Sequence, residues 1–334
     1  MNAIAGCYLC GNEGLPLTDE HIFPEAAGGT IARRILCKPC NDGLGLWVDA
    51  PYLAQKHIQL GRAVHKIKGK RGDLPRPFPD EYVPDGSSDG TRITIAGDFS
   101  SRVIPTKPIV NVTKDGEISL ALSMDYQDKH RTPKVIRTTL TRFFRTSEGK
   151  SLLWSAEKQE KAILQTIDRA LLTKSKVTPI QVSLHGQWSI DLLALYTEHV
   201  KILFEVCCIE FGNSFLKTQE GERIRAFLYM ASRNELPEWS LESKPAELGI
   251  AAEVPPELNS ILAVLRVSNI HTNHLVLLSP TGGVVSMFGM GATLHSESLH
   301  SSRTSFFEPK LYLNSINGGR SGVFRLSELL HQPE

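Results

Sequence analysis

Cys7-Tyr8-Leu9-Cys10-Gly11 and Cys37-Lys38-Pro39-Cys40-Asn41 bracket the segment Leu17-Thr18-Asp19-Glu20-His21-Ile22-Phe23-Pro24-Glu25, and these three stretches decide how the chain begins. Each Cys-x-x-Cys pair presents two sulfurs to one point. Together Cys7, Cys10, Cys37 and Cys40 supply the four soft ligands of a closed tetrahedral zinc site. The 26 residues between Cys10 and Cys37 hold the acid-histidine segment, a Gly28-Gly29 turn and the apolar pair Ile35-Leu36. A disulfide framework fits two-residue knuckles poorly, and a thioredoxin-like redox pair would need a βαβ context that neither pair has. The other two cysteines, Cys207 and Cys208, sit in an apolar stretch and read as small buried hydrophobes.

The chain has 334 residues, 41% of them hydrophobic and 22% charged, which excludes a disordered chain and allows two domains or one large one. No apolar run approaches the ~18–20 residues of a membrane span, so no membrane partner is expected. Met1 to Gly6 lacks the basic and apolar regions of a secretory signal, so a reducing, cytoplasmic compartment is expected, which favours thiolates as metal ligands. Lys plus Arg (37) and Asp plus Glu (36) nearly cancel. A nucleic-acid partner must therefore be held by a local patch. No Walker-type loop is present, and nothing points to ATP hydrolysis.

Hydrolysis of a phosphodiester needs a base to activate water and a cation to absorb charge on phosphorus and the leaving oxygen. A histidine, with an unperturbed pKa of ~6.5, can be that base near neutral pH. An adjacent carboxylate and a facing carboxamide oxygen are hard ligands suited to Mg²⁺ or Mn²⁺. The acid-histidine pair, the proline three residues past the histidine, the Gly-Gly turn and the Cys-x-x-Cys-Asn helix start resemble the HNH endonuclease family. The subgroup is the one whose ββα-metal motif is braced by a four-cysteine zinc, and the resemblance spans roughly residues 5 to 60.

That resemblance implies His21 as general base, Glu20 and Asn41 as ligands of the catalytic divalent cation, and Zn²⁺ on the four cysteines. The zinc would pin strand to helix so that Asn41 faces the Glu20-His21 strand. Asp49 lies eight residues after Asn41, about 80° round a helix, and is an additional candidate ligand. The chain departs from the family pattern twice. Thr30-Ile31-Ala32-Arg33-Arg34 lacks the middle asparagine that orients the histidine, leaving a backbone carbonyl or Thr30 for that task. Glu20 also stands where aspartate is common.

Outside this motif, Pro51 is expected to break or kink the first helix, with a second helix from Tyr52 to Val64. From Pro51 to Gly72 there is no acid, while Lys56, Arg62, Lys66, Lys68, Lys70 and Arg71 form a candidate phosphate-tracking surface. Proline and Asp-Gly-Ser turns mark a linker, giving three expected regions: an HNH module over 1–72, a linker over 73–102 and an α+β accessory domain over 103–334. Within the last, a hairpin is expected around Lys114-Asp115-Gly116 and strands at 181–189, 261–267, 274–279 and 284–288. Helices are expected from Pro133, over 156–173, over the apolar run Leu192–Phe211 and over Glu220–Ser232. Phe143 and Phe144 lie among basic residues and read as the inner face of an amphipathic helix. His271, His274, His295 and His300 read as loop residues with no metal spacing.

The fold class expected is α+β: a small N-terminal ββα-metal zinc module and a larger α+β region. The function expected is a metal-dependent endonuclease. By resemblance DNA is favoured over RNA, the ends are 5′-phosphate and 3′-hydroxyl, and the setting is restriction or anti-phage defence. The rival readings are a non-catalytic zinc module that binds nucleic acid or protein, and a nuclease gated by a ligand sensed in the C-terminal region; a homo-oligomer or a regulatory ligand is the further candidate partner.

Overall fold

The computed structural model describes residues 6–69, 71–83, 91–113, 117–172, 189–236, 250–251, 273–279, 282–288, 290–295, 308–316 and 321–330. Leu17–His21 (β1) and Ala32–Cys37 (β2) form an antiparallel hairpin. Its connection is set by sterics. Gly28 has φ 93°, a left-handed conformation open mainly to glycine. A Cβ on Gly29 would lie 1.8 Å from the Phe23 carbonyl oxygen.

β2 runs directly into the helix Lys38–Leu44 (α1), with Pro39 in the first turn where its missing N–H costs nothing. Of the two outcomes expected at Pro51, a break of this helix does not occur. Gly45–Asp49 forms a π-helical turn, with the Ala50 N–H on the Gly45 carbonyl, and the helix continues through Ala50–Ala54 (α2). The wider turn takes up the clash and lost hydrogen bond that Pro51 brings. The break comes instead at Gln55, which is extended (φ −65°, ψ 137°), before Lys56–Val64 (α3).

The chain divides into two compact units, Met1–Pro77 with Trp188–Glu334, and Phe78–Gln187. The second unit contains Arg92–Ile95 (β3) paired with Ser101–Ile104 (β4), and the hairpin Ile109–Val112 (β5) with Ile118–Ala121 (β6). Thr132–Phe143 (α4), Ser147–Ser151 (α5) and Ala156–Leu172 (α6) follow. Ile136, Leu140, Phe143, Phe144 and Ile163 form its core. Arg137 instead reaches out to Glu160 at 2.7 Å, so α4 is amphipathic as its periodicity predicts.

The first unit resumes with Leu192–Phe211 (α7), Asn213–Leu216 (α8) and Gln219–Ala231 (α9). Then come Ile250–Ala251 (β7), Asn273–Ser279 (β8), Gly282–Met287 (β9), Met290–His295 (β10), Lys310–Ser315 (β11), Gly322–Arg325 (β12) and the short helix Leu326–Leu330 (α10). These six strands make one antiparallel sheet in the order β12-β11-β8-β9-β10-β7. The expected strand at 261–267, and all but the last residue of that at 181–189, lie outside the described residues.

This arrangement differs from a division at 1–72, 73–102 and 103–334, because the chain returns to its N-terminal part at Trp188. The reason lies in α7. Every residue from Thr197 to Cys208 is buried, so the helix must be covered on all sides. One core joins Ile22, Phe23, Leu44, Val48 and Tyr52 of the N-terminal part to Leu203, Phe204 and Cys207 of α7, Leu228 of α9 and Val276 and Val285 of the sheet. No helix among the described residues is long and apolar enough to cross a membrane.

His274 is not a loop residue. It lies in β8, fully buried, with Nε2 at 2.8 Å from the Ala27 carbonyl oxygen. Burial holds it, and His199 of α7, down to about 4. An unfolded histidine titrates near 6.5, so each gains a proton on unfolding between pH 6.5 and about 4; the stability it contributes is complete above pH 6.5 and lost as pH falls. Urea unfolding of wild type beside His274→Phe isolates this contribution from that of the buried carboxyls. Wild type should lose about 2–3 kcal/mol relative to the variant between pH 7.5 and 4.5. A gap independent of pH would contradict a neutral, buried His274.

Candidate functional site

Two knuckles open the site. The Gly11 N–H donates to the Cys7 carbonyl at 2.8 Å and the Tyr8 N–H to the Ile35 carbonyl at 3.1 Å, which lays the first knuckle beside β2. Arg225 of α9 clamps it from outside, Nε donating to the Leu9 carbonyl at 2.8 Å. The Sγ atoms of Cys7, Cys10, Cys37 and Cys40 all lie within 4.8 Å of one another, and Cys10 and Cys37 are 3.7 Å apart. Metal–sulfur bonds of about 2.3 Å in a tetrahedron put sulfurs about 3.8 Å apart, whereas a disulfide needs about 2.05 Å. The four cysteines are therefore positioned to hold a metal such as zinc.

Their electrostatics agree. A hydrogen bond from Cys40 holds the Cys7 thiol down to about 4, and the same contact pushes Cys40 far up. One thiolate forms readily and opposes the next, a conflict that a bound cation removes.

On the hairpin, Glu20 pairs with Arg33 and His21 with Ala32, after a bulge between Thr18 and Asp19. His21 ends β1 and is half-buried. Asn41, one residue past Cys40 on α1, donates from Nδ2 to Thr18 Oγ1 and to the Asp19 carbonyl, both at 3.0 Å. Helix and strand are thus tied at the histidine edge. Thr30, one of the two groups expected to orient His21, is engaged elsewhere: its N–H and hydroxyl both donate to Asn314 Oδ1 of β11 at 2.7 Å.

Glu20 turns inward and is only 4% exposed. Its Oε1 meets Lys201 Nζ of α7 at 2.8 Å, and the same ammonium meets Asp49 Oδ1 at 2.7 Å. The structure therefore brings Glu20 and Asp49 together through a lysine. Two more acids of α7, Glu198 and Glu205, are fully buried; Glu198 lies against Asp49, and the Glu205 carboxyl oxygens find no hydrogen-bond partner among the described residues. Burial pushes both carboxyls well up, with the Asp49 charge adding to the push on Glu198. Burial alone would lower the Lys201 ammonium, but Asp49 and Glu20 outweigh it and hold it well above the usual lysine range.

Of the basic residues expected to track phosphates, Lys56, Lys66, Lys68 and Arg71 are exposed. Arg62 is buried, its guanidinium depressed by burial, and does not share that surface. Lys70 lies outside the described residues. Arg33 and Arg34 of β2 are exposed beside the hairpin.

With this geometry in hand, comparison with known families is decisive for the N-terminal segment. Residues 7–57 match the HNH endonuclease family. No curated protein and no solved structure matches the chain. The HNH segment runs from the first knuckle through β1, β2, α1 and α2 into the start of α3, so the cysteine cluster, His21 and Asn41 all fall inside it. It supports a nuclease that acts on nucleic acid. Lys201, Glu198 and Glu205 fall outside it and were missed in the sequence. Their signal was present: acids and a lysine at 198, 201 and 205 share one face of a helix otherwise too apolar to meet water.

Purified protein should carry one zinc per chain by atomic emission. Cys40→Ser should lose it and, since a structural zinc contributes on the order of 10 kcal/mol, should lose cooperative unfolding of the first unit. Metal-free protein with an unchanged transition would contradict a structural site.

Proposed function

We propose that this chain is a metal-dependent endonuclease that hydrolyses phosphodiester bonds, with DNA as the favoured substrate. The observation that carries the reading is the coincidence of the HNH match over 7–57 with a histidine-ended strand tied to Asn41. His21 accepts a proton from the attacking water; the water oxygen bonds to phosphorus and the bond to the 3′ oxygen breaks, that oxygen taking a proton from solvent, which leaves 5′-phosphate and 3′-hydroxyl ends. Asn41, anchored through Nδ2, offers Oδ1 to a divalent cation, and Glu20 offers the carboxylate oxygen that Lys201 does not take. One hard amide oxygen and one hard carboxylate oxygen suit Mg²⁺ or Mn²⁺. Such a cation, when bound, neutralises charge on the phosphorane and the leaving oxygen.

Exposed Lys56, Lys66, Lys68 and Arg71, with Arg33 and Arg34, supply phosphate contacts, which makes binding salt-dependent. The setting implied by the family resemblance is restriction or anti-phage defence.

Supercoiled plasmid and single-stranded RNA are incubated with Mg²⁺ or Mn²⁺, wild type beside His21→Ala. Removing a general base costs ~10²–10⁴-fold, so His21→Ala should cut at least ~100-fold more slowly while keeping its zinc and its DNA affinity. Equal cleavage by both proteins would overturn the catalytic assignment. DNA binding without cleavage by wild type would favour a non-catalytic zinc module.

A further inference from the structure

A lysine with no exposed surface, held between two acids of the HNH segment of which the nearer in sequence, Asp49, is 152 residues away, needs an explanation other than stability. Buried ion pairs seldom stabilise a fold more than well-packed apolar groups of the same size would. On α7 the buried neighbours of Lys201 divide: Val200, Ile202, Leu203 and Phe204 are apolar, while Glu198 and Glu205 share its face.

What the ammonium does geometrically is specific. Glu20 lies on β1 and Asp49 lies in the π-helical turn at the far end of the helix that begins with the second knuckle. The cysteine cluster ties strand to helix at one end of the motif. Lys201 ties the same two elements at the other, through contacts of 2.8 and 2.7 Å. Without it Glu20 and Asp49 would lose the cation that both carboxylates share.

We propose that Lys201 is a positioning residue of the nuclease site: from α7 it fixes the Glu20 carboxylate by one oxygen and leaves the other aimed for the divalent cation. This rests on the endonuclease reading above and adds to it that the HNH segment is completed by the C-terminal part of the chain.

The test compares wild type, Asp49→Asn, Lys201→Met and the double variant Asp49→Asn/Lys201→Met. Relative to wild type the double variant keeps the net charge of the buried site, and relative to Asp49→Asn it lacks only the ammonium that anchors Glu20. Mn²⁺ binding is read from the loss of the free-ion electron paramagnetic resonance signal, beside zinc content, circular dichroism and plasmid nicking. The double variant should keep its zinc and helix content, yet bind Mn²⁺ at least tenfold more weakly than Asp49→Asn and nick correspondingly more slowly at subsaturating Mn²⁺. Equal Mn²⁺ affinity and nicking in those two proteins would overturn the proposal. Tighter Mn²⁺ binding would also overturn it, because the ammonium would then be a competitor of the cation. Loss of zinc or helix from the double variant would assign Lys201 to the fold and overturn it as well. Those results leave the endonuclease reading standing. Wild type that neither binds Mn²⁺ nor nicks would bring down that reading and the proposal together.

Discussion

Two short strands and a helix interrupted by a π turn cannot hold themselves in register by apolar burial, and the rest of the structure answers that constraint. A segment the size of residues 7–57 has too little interior to be stable alone. It is supported from two sides. Four thiols within 4.8 Å of one another close the knuckle end around a tetrahedral position. On the other side α7 lies under the hairpin and helix, so Ile22, Phe23, Leu44, Val48 and Tyr52 share a core with Leu203 and Phe204. The turn between the strands is held in the same way, with Asn314 Nδ2 donating to the Gly28 carbonyl at 2.9 Å and His274 on Ala27.

The ionic contacts inside that core are better understood through geometry than through energy. At an effective dielectric near 20, each contact of Lys201 contributes on the order of 4–6 kcal/mol. Desolvation of each ion costs several kcal/mol. The two nearly cancel. What survives the cancellation is direction: an ammonium with three donors and a fully buried stem holds two carboxylates at defined points, which apolar packing cannot do.

The α+β class, the knuckles, the histidine-bearing segment, α4, α6, α7 and α9 were all legible in the sequence, because each rests on local pattern. Cys-x-x-Cys spacing acts over four residues, and helical periodicity over two turns. Pro51 is expected to break or kink the helix, and the break does not occur, because tertiary packing of Val48 and Tyr52 against α7 keeps the helix going and a π turn absorbs the misfit. His274 misled because polar neighbours in the sequence suggest a loop, whereas a central strand paired on both sides carries it into the core. Lys201 could not be assigned a partner, since nothing local says that a helix beginning at Leu192 packs on a strand ending at His21. The return of the chain at Trp188 escaped for the same reason. Long-range pairing is invisible to periodicity.

The central claim is that the HNH edge formed by β1 and α1 is a divalent-cation site distinct from the cysteine cluster. Diffraction from crystals grown with Mn²⁺, recorded at the zinc and manganese absorption edges, tests it most directly. Two ions per chain are predicted, zinc among Cys7, Cys10, Cys37 and Cys40 and manganese against Asn41 Oδ1 and Glu20, with His21 facing it. Zinc alone, with no manganese at Asn41 and Glu20 in a well-ordered crystal, would contradict the claim.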